Sequence, residues 1–250
     1  ILVLLLSESA NWVCFALDAE ATSLGSCDYS CLNSEFEVES EQSLLELTNS
    51  QCARIQIECR QPSLNTTIES LNKYLIRGIN YFRVVIKNQN YTEIGPDSFK
   101  GLSVNTLFLM RNRIQKVDGL AFIKIQSLET LSLNQNKLRT VAFSREVSLL
   151  KNLSLNSNKL QNVTTGMFEN LPNLSALFLC YNEIENVERD AFLFNKLLTY
   201  LDLSGNKLKM FSIEENNMLE TLKLNDNRFE TLALGPFLSA LKNLKVLSMN

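Results

Sequence analysis

The 250-residue sequence contains no histidine. That one absence removes Ser–His–Asp and Cys–His nucleophilic sites, and every histidine-bound zinc centre, from this stretch. An excess of charge is missing too. Against 24 basic residues stand 27 acidic ones, a net charge of −3, which is too small to suggest nucleic acid or an anionic membrane as a partner. Cysteine is scarce: of six in the chain, only Cys180 lies beyond Cys59. What remains is ordinary folding material, 45% hydrophobic and 20% charged residues, sufficient for one elongated domain or two compact ones.

The first residues, ILVLLLSESANWVCFALDAEA, are an apolar run ending in Ala19-Glu20-Ala21, the small-x-small form of a signal-peptidase site. Glu8 and Asn11 interrupt the run and no basic residue precedes it; the chain opens on Ile, so we expect its true start upstream. Residues 1–21 are read as a signal peptide, whose removal takes away Glu8, Asp18 and Glu20 and leaves a formally neutral remainder. Cys14 leaves with it. Cys27, Cys31, Cys52 and Cys59 then cluster at the new N-terminus, over 22–80, as a disulfide-stapled cap of an exported protein. Four cysteines allow three connectivities, and the sequence does not choose among them. Their C-x3-C and C-x6-C spacings are too wide for paired zinc ligands, so no metal or cofactor is expected.

Repetition organises the rest. LDLSGNKL at 201–208 returns as LFLMRNRI at 107–114, LSLNQNKL at 131–138, LSLNSNKL at 153–160, LFLCYNEI at 177–184 and LKLNDNRF at 222–229. With three leading residues each unit reads LxxLxLxxNxL, beginning at Val104, Leu128, Leu150, Leu174, Leu198, Leu219 and Leu244. The spacings are therefore 24, 22, 24, 24, 21 and 25 residues. A degenerate unit begins at Tyr81, with Gln89 where the asparagine belongs. Asp202 and Ser204 fall on positions that vary between units, which predicts surface residues rather than a reactive pair.

Alternating LxL predicts a short strand with leucines inward and the intervening residues outward. The sharp turn that follows leaves backbone groups inside, and an inward asparagine offers one carbonyl and two N–H groups to satisfy them. Asn112, Asn136, Asn158, Asn182, Asn206 and Asn227 should thus stack as a ladder, coil on coil. Phenylalanine recurs five residues after the last aliphatic of a unit, at Phe99, Phe122, Phe168, Phe192 and Phe237, with Phe143 standing in for one missing copy. No coil hides its apolar side alone, so neighbours are required.

These units resemble leucine-rich repeats of the typical extracellular subclass, as in Toll-type receptors and slit-like guidance proteins, and the likeness covers 81–250. It implies an α/β horseshoe, a right-handed solenoid with a concave parallel sheet, that binds a protein ligand or co-receptor, or a glycan, and is not an enzyme. Cys52-x6-Cys59 is similar to the end of the family's N-terminal cysteine cap, although the insert between Cys31 and Cys52 departs from it. The setting implied is secreted or cell-surface, in adhesion, signalling or immune sensing, with room for a membrane anchor beyond residue 250. The alternative is an intracellular repeat scaffold or regulatory subunit.

On the outward strand face most residues are small and polar, the mark of a solvated surface. Two groups break that rule. Phe178 and Tyr181 of one coil approach Tyr200 of the next, and Phe108 with Met110 and Arg111 forms a smaller group beside Arg83 and Lys87. Exposed aromatics with Arg or Met suit a protein-binding hot spot. Cys180 also falls on this outward face. As the odd cysteine it is read as a free thiol or the link of a covalent homodimer. Sequons for N-glycosylation stand at Asn65, Asn90, Asn152, Asn162 and Asn173, and a glycan on Asn152 would crowd the middle of the concave face.

Overall fold

The computed structural model describes residues 82–250 apart from residues 88, 101, 103, 124, 126, 215–217 and 231–238, with residues 82, 83 and 146 as backbone only. Before them it describes the backbone of strands Cys27–Cys31, Glu37–Val38 and Ile55–Cys59. The expected signal segment, the Asn65 sequon, Phe237, Cys52 and the side chains of Cys27, Cys31 and Cys59 lie outside the described residues.

Each LxL triplet becomes a strand because its β-compatible leucines face one side at period two. Thr106–Phe108, Thr130–Ser132, Asn152–Ser154, Ala176–Phe178, Tyr200–Asp202, Thr221–Lys223 and Val246–Ser248 lie side by side and parallel, extending from Phe82–Ile86 and Ile55–Cys59. Two antiparallel strands at one edge complete an 11-stranded sheet, with Cys27 opposite Cys59 in the backbone register. Register is uniform along the repeats. Leu107, Leu131, Leu153, Leu177, Leu201 and Leu222 are mutual neighbours in sequence order, and all six are fully buried. A parallel β-solenoid results. The convex returns are short, built from two-residue strands such as Asn162–Val163 beside Asn186–Val187 and from single 3₁₀ turns at Arg145–Val147 and Thr165–Met167.

Two columns of side chains hold the coils together. Asn112, Asn136, Asn158, Asn182 and Asn206 are 5–7% exposed, and Asn227, near the last coil, is half-buried. Asn158 illustrates their bonding. Its Nδ2 donates to the carbonyls of Leu133 at 2.9 Å and Leu155 at 3.0 Å, and its Oδ1 accepts the N–H of Leu138 at 3.0 Å. Every bond to Leu133 or Leu138 crosses to the preceding coil, so each amide closes its own turn and clamps its neighbour.

On the convex side, rings replace amides. Phe99 stacks on Phe122 at 5.3 Å and Phe122 on Phe143 at 6.4 Å, while Phe168 and Phe192 form a separate stack at 6.3 Å. Between Phe143 and Phe168 the contact is polar instead: Asn170 donates Nδ2 to the Phe143 carbonyl at 2.9 Å and receives the Arg145 Nε–H at 3.3 Å.

Candidate functional site

The outward strand positions are the natural place to look for a site, and the middle row there is drier than its small polar residues suggest. Ser132, Ser154, Phe178 and Asp202 are 0%, 3%, 6% and 4% exposed. Small side chains sit below their larger neighbours; Ser154 donates its hydroxyl sideways to Asn134 Oδ1 at 2.7 Å, whereas the buried Ser132 hydroxyl makes no hydrogen bond among the described residues. Asp202 is accordingly not the surface residue expected from its position, and Ser204 is half-buried.

Their role follows from a second amide column, two residues before the ladder asparagine. Asn134 Oδ1 accepts the N–H of Asn156 at 2.9 Å, and Asn156 Oδ1 accepts the N–H of Cys180 at 2.8 Å. Cysteine offers no such carbonyl to the next coil. There Asp202, from the same strand, accepts the Ser204 N–H at 3.0 Å and fills the gap. The signal for this column was visible as Asn-x-Asn at 134/136, 156/158 and 225/227, hidden only by its breaks at Met110, Cys180 and Ser204.

Cys180 requires a correction. It is fully buried and disulfide-bonded, with its partner outside the described side chains. A bonded sulfur beneath the strand face is neither a free thiol nor the link of a covalent homodimer; the outward assignment by period two fails because the strand ends at Phe178.

Between Asn-x-Asn partners the backbone turns left-handed. Arg111, Gln135, Ser157, Tyr181, Gly205 and Asp226 all have φ between 51° and 68°. Only one is glycine, and it is the one that must be. A Cβ on Gly205 would overlap Tyr181 Cδ1 and stand 2.7 Å from Cε1, because the tyrosine ring of the preceding coil lies across it. Gly205→Ala is expected to destabilise by about 2 kcal/mol, combining left-handed strain with displacement of the ring. Combining it with Tyr181→Gly should recover about half, which a double-mutant cycle in urea would register as coupling.

Among the candidate binding residues, Phe178 and Tyr200 do come together, with ring centroids 5.0 Å apart. Tyr200 also carries the Lys223 ammonium 5.5 Å from its ring centroid, within cation–π range. Burial raises the Tyr200 phenol above its ordinary pKa, opposed in part by a hydrogen bond from Lys223. Burial by itself would lower the Lys223 pKa, but the Tyr200 hydroxyl and the charge of Asp202 outweigh it and the net direction is upward. At neutral pH the cluster therefore holds a neutral phenol and a cationic amine. Tyr181 stands apart on Gly205, with half of its surface exposed. Phe178 is a buried support beneath this group rather than a presented ring. Near the other end, Phe108 is half-buried and Arg111 donates Nε–H to Gln135 Oε1 at 2.7 Å.

The sequons divide by environment. Asn152 and Asn173 use their amide nitrogens internally, donating to Thr130 Oγ1 at 3.2 Å and to the Ser148 carbonyl at 2.8 Å. Asn90 is exposed in a loop and Asn162 is exposed on the short strand Asn162–Val163. Sequence reasoning also missed Asn195, fully buried on the convex side, whose Nδ2 bridges the carbonyls of Phe168 and Leu171 at 3.0 and 2.8 Å. It lies outside the repeated pattern, so no periodicity announced it.

Comparison with known proteins fixes the family. A model of the leucine rich repeat matches residues 83–138, 103–149 and 148–208, together half of the chain. The chain belongs to the leucine-rich repeat family. Among curated relatives, this leucine-rich repeat chain is 35% identical to Toll-like receptor 10 of Bos taurus over 83 residues, covering 33% of the chain and 10% of the receptor. It is 30% identical to human lumican over 161 residues, 62% of the chain and 46% of lumican. Bovine osteomodulin is 32% identical over 138 residues, 53% of the chain and 33% of that protein. The leucine-rich repeat chain thus spans less than half the length of each of these relatives.

Proposed function

We propose that this module acts outside the cell, as part of a secreted or cell-surface protein, and that it recognises a protein ligand or co-receptor rather than catalysing a reaction. The carrying observation is the cluster at Tyr200. A tyrosine stacked on a buried Phe178 and roofed by Lys223 is a preorganised amphipathic anchor, the type of residue that concentrates binding energy. Tyr181 extends it by a second, exposed ring one coil earlier. Neighbouring positions are small and polar, which suits the near-neutral surround of a hot spot. Adhesion, signalling and immune sensing all fit such a surface. The smaller group at Phe108 and Arg111 is assigned to the periphery of the same contact. We assign glycosylation to the exposed Asn90 rather than to Asn152, whose amide is bonded to Thr130, which leaves the concave strands clear.

The test begins with capture of the partner by proximity cross-linking on intact cells. Affinity of the purified partner is then measured against the chain and against a triple variant, Phe178→Ala with Tyr181→Ala and Tyr200→Ala. A loss of about thirtyfold or more is expected, corresponding to about 2 kcal/mol for a hot spot. Unchanged affinity in a variant that still melts cooperatively removes the proposal.

A further inference from the structure

The edge of the solenoid just after the asparagine ladder carries a different chemistry. In three consecutive coils the residue following the ladder asparagine is Arg113, Lys137 and Lys159, and all three are exposed. The Lys137 N–H donates to the Ile114 carbonyl and the Lys159 N–H to the Leu138 carbonyl, both at 2.8 Å, so the coils stack tightly here. The bases rise as a file, one per coil, about 5 Å apart. Lys116 and Arg139 lie two or three residues further round the same turns and are also exposed.

None of these five bases has an ion-pair partner among the described residues. Four other bases are matched with acids: Lys151 with Glu129 at 3.0 Å, Arg189 with Glu214 at 3.1 Å, Lys207 with Glu183 at 3.5 Å and Lys245 with Glu220 at 2.7 Å. What sets the file apart is that its unmatched bases stand in three consecutive coils. The unpaired file is bounded. Glu93 neighbours Lys116 across a short strand pair at one end, and Glu183 and Glu185 occupy the coil beyond Lys159 at the other. Like charges so close repel one another through weakly screened distances, since the Debye length is about 8 Å at physiological salt. A bound polyanion relieves that repulsion.

What shares the edge decides the kind of polyanion. The other exposed residues of these turns are Gln115, Thr140, Gln161 and Asn162, all polar, with no exposed apolar or aromatic side chain. A folded protein partner needs an apolar anchor, and single-stranded nucleic acid needs aromatic platforms for its bases. Neither is offered. Cations in a row, interspersed with amides and a hydroxyl that can bond to sugar hydroxyls, match an extended chain of sugars bearing sulfates and carboxylates.

We propose that this lateral edge binds a sulfated polysaccharide, laid across the three coils from Arg113 to Lys159, at a site separate from the concave cluster at Tyr200. The probe is heparin. The chain should bind immobilised heparin with an affinity that falls steeply with salt, because binding releases counterions. Lys137→Glu with Arg139→Glu and Lys159→Glu should weaken it at least a hundredfold, and the neutral triple Lys137→Gln, Arg139→Gln, Lys159→Gln at least tenfold. A control with the same change in net charge away from this edge, Arg189→Glu with Lys196→Glu and Lys245→Glu, should stay within threefold of the parent. Circular dichroism and thermal melts verify that the variants fold. Equal losses in patch and control variants would mean that net charge alone is read, and would overturn the proposal. So would retained binding in the neutral triple. Competition by polyglutamate or duplex DNA that equals heparin at matched charge would reassign the edge to an acidic protein or nucleic acid. Heparin binding should persist in the Phe178, Tyr181 and Tyr200 alanine variant, so failure here and failure at the concave cluster are read separately.

Discussion

Asn158→Leu should cost about 3 kcal/mol of folding stability although leucine is the commonest neighbour in this core. The substituted side chain is nearly isosteric, so the loss comes from polarity. Asn158 receives the Leu138 N–H and supplies hydrogens to the carbonyls of Leu133 and Leu155, in a site that is 7% exposed. Leucine leaves one donor and two acceptors buried without partners, at about 1–3 kcal/mol for each group that water cannot reach. Partial relaxation of the turn keeps the sum at the lower end. Asn158→Asp should fall between parent and leucine, because it keeps the acceptor and loses the donors. Urea titration followed by far-ultraviolet circular dichroism reads both. A leucine variant as stable as the parent would mean that the turn finds its bonds elsewhere and that the ladder is ornament.

The larger effect is expected at Phe122. Its ring is 1% exposed and is the middle member of the Phe99–Phe122–Phe143 stack. Removing it opens a cavity between three coils and deletes two ring contacts at once. Phe122→Ala should therefore lose about 3–5 kcal/mol, at the upper range for a buried aromatic. Phe122→Leu, which retains most of the volume, should lose less than half of that. Because each coil supports only its neighbours, the same substitution should also broaden the urea transition, as the two halves begin to unfold separately. An alanine variant with an unchanged midpoint and slope would show that the convex rings are not structural.

How much of this was readable in advance depended on whether one residue type repeats. The leucines and ladder asparagines recur in every full unit, since each coil presents the same turn to the same neighbour, and the strand register follows from them directly. The second amide column was harder. Asn134, Asn156 and Asn225 spell it out, but Cys180 and Ser204 interrupt it, and the repair by Asp202 comes from a strand position where period two predicts exposure. Burial of Phe178 was missed for the same reason. Alternation assigns a side of the sheet, and it carries no information on what covers that side. Gly205 looked interchangeable with the other turn residues until the Tyr181 ring was seen lying across it. At the surface, the file from Arg113 to Lys159 is plain in the aligned units. Its significance lay in the missing acidic partners, which only the folded coils reveal.

The gap in the ring column has a mechanical meaning. From Phe99 to Phe143 the convex edge is a continuous stack, and it resumes at Phe168, but the join between them is a pair of hydrogen bonds through Asn170. Stacked rings resist shear over a broad area of contact, whereas two polar bonds, one part-buried and one exposed, exchange more readily with water. The seam between the coil that starts at Leu128 and the coil that starts at Leu150 is thus a compliant joint. Flexing there would open or close the spacing of Lys137 and Lys159 within the basic edge while the Tyr200 cluster, two coils on, stays packed.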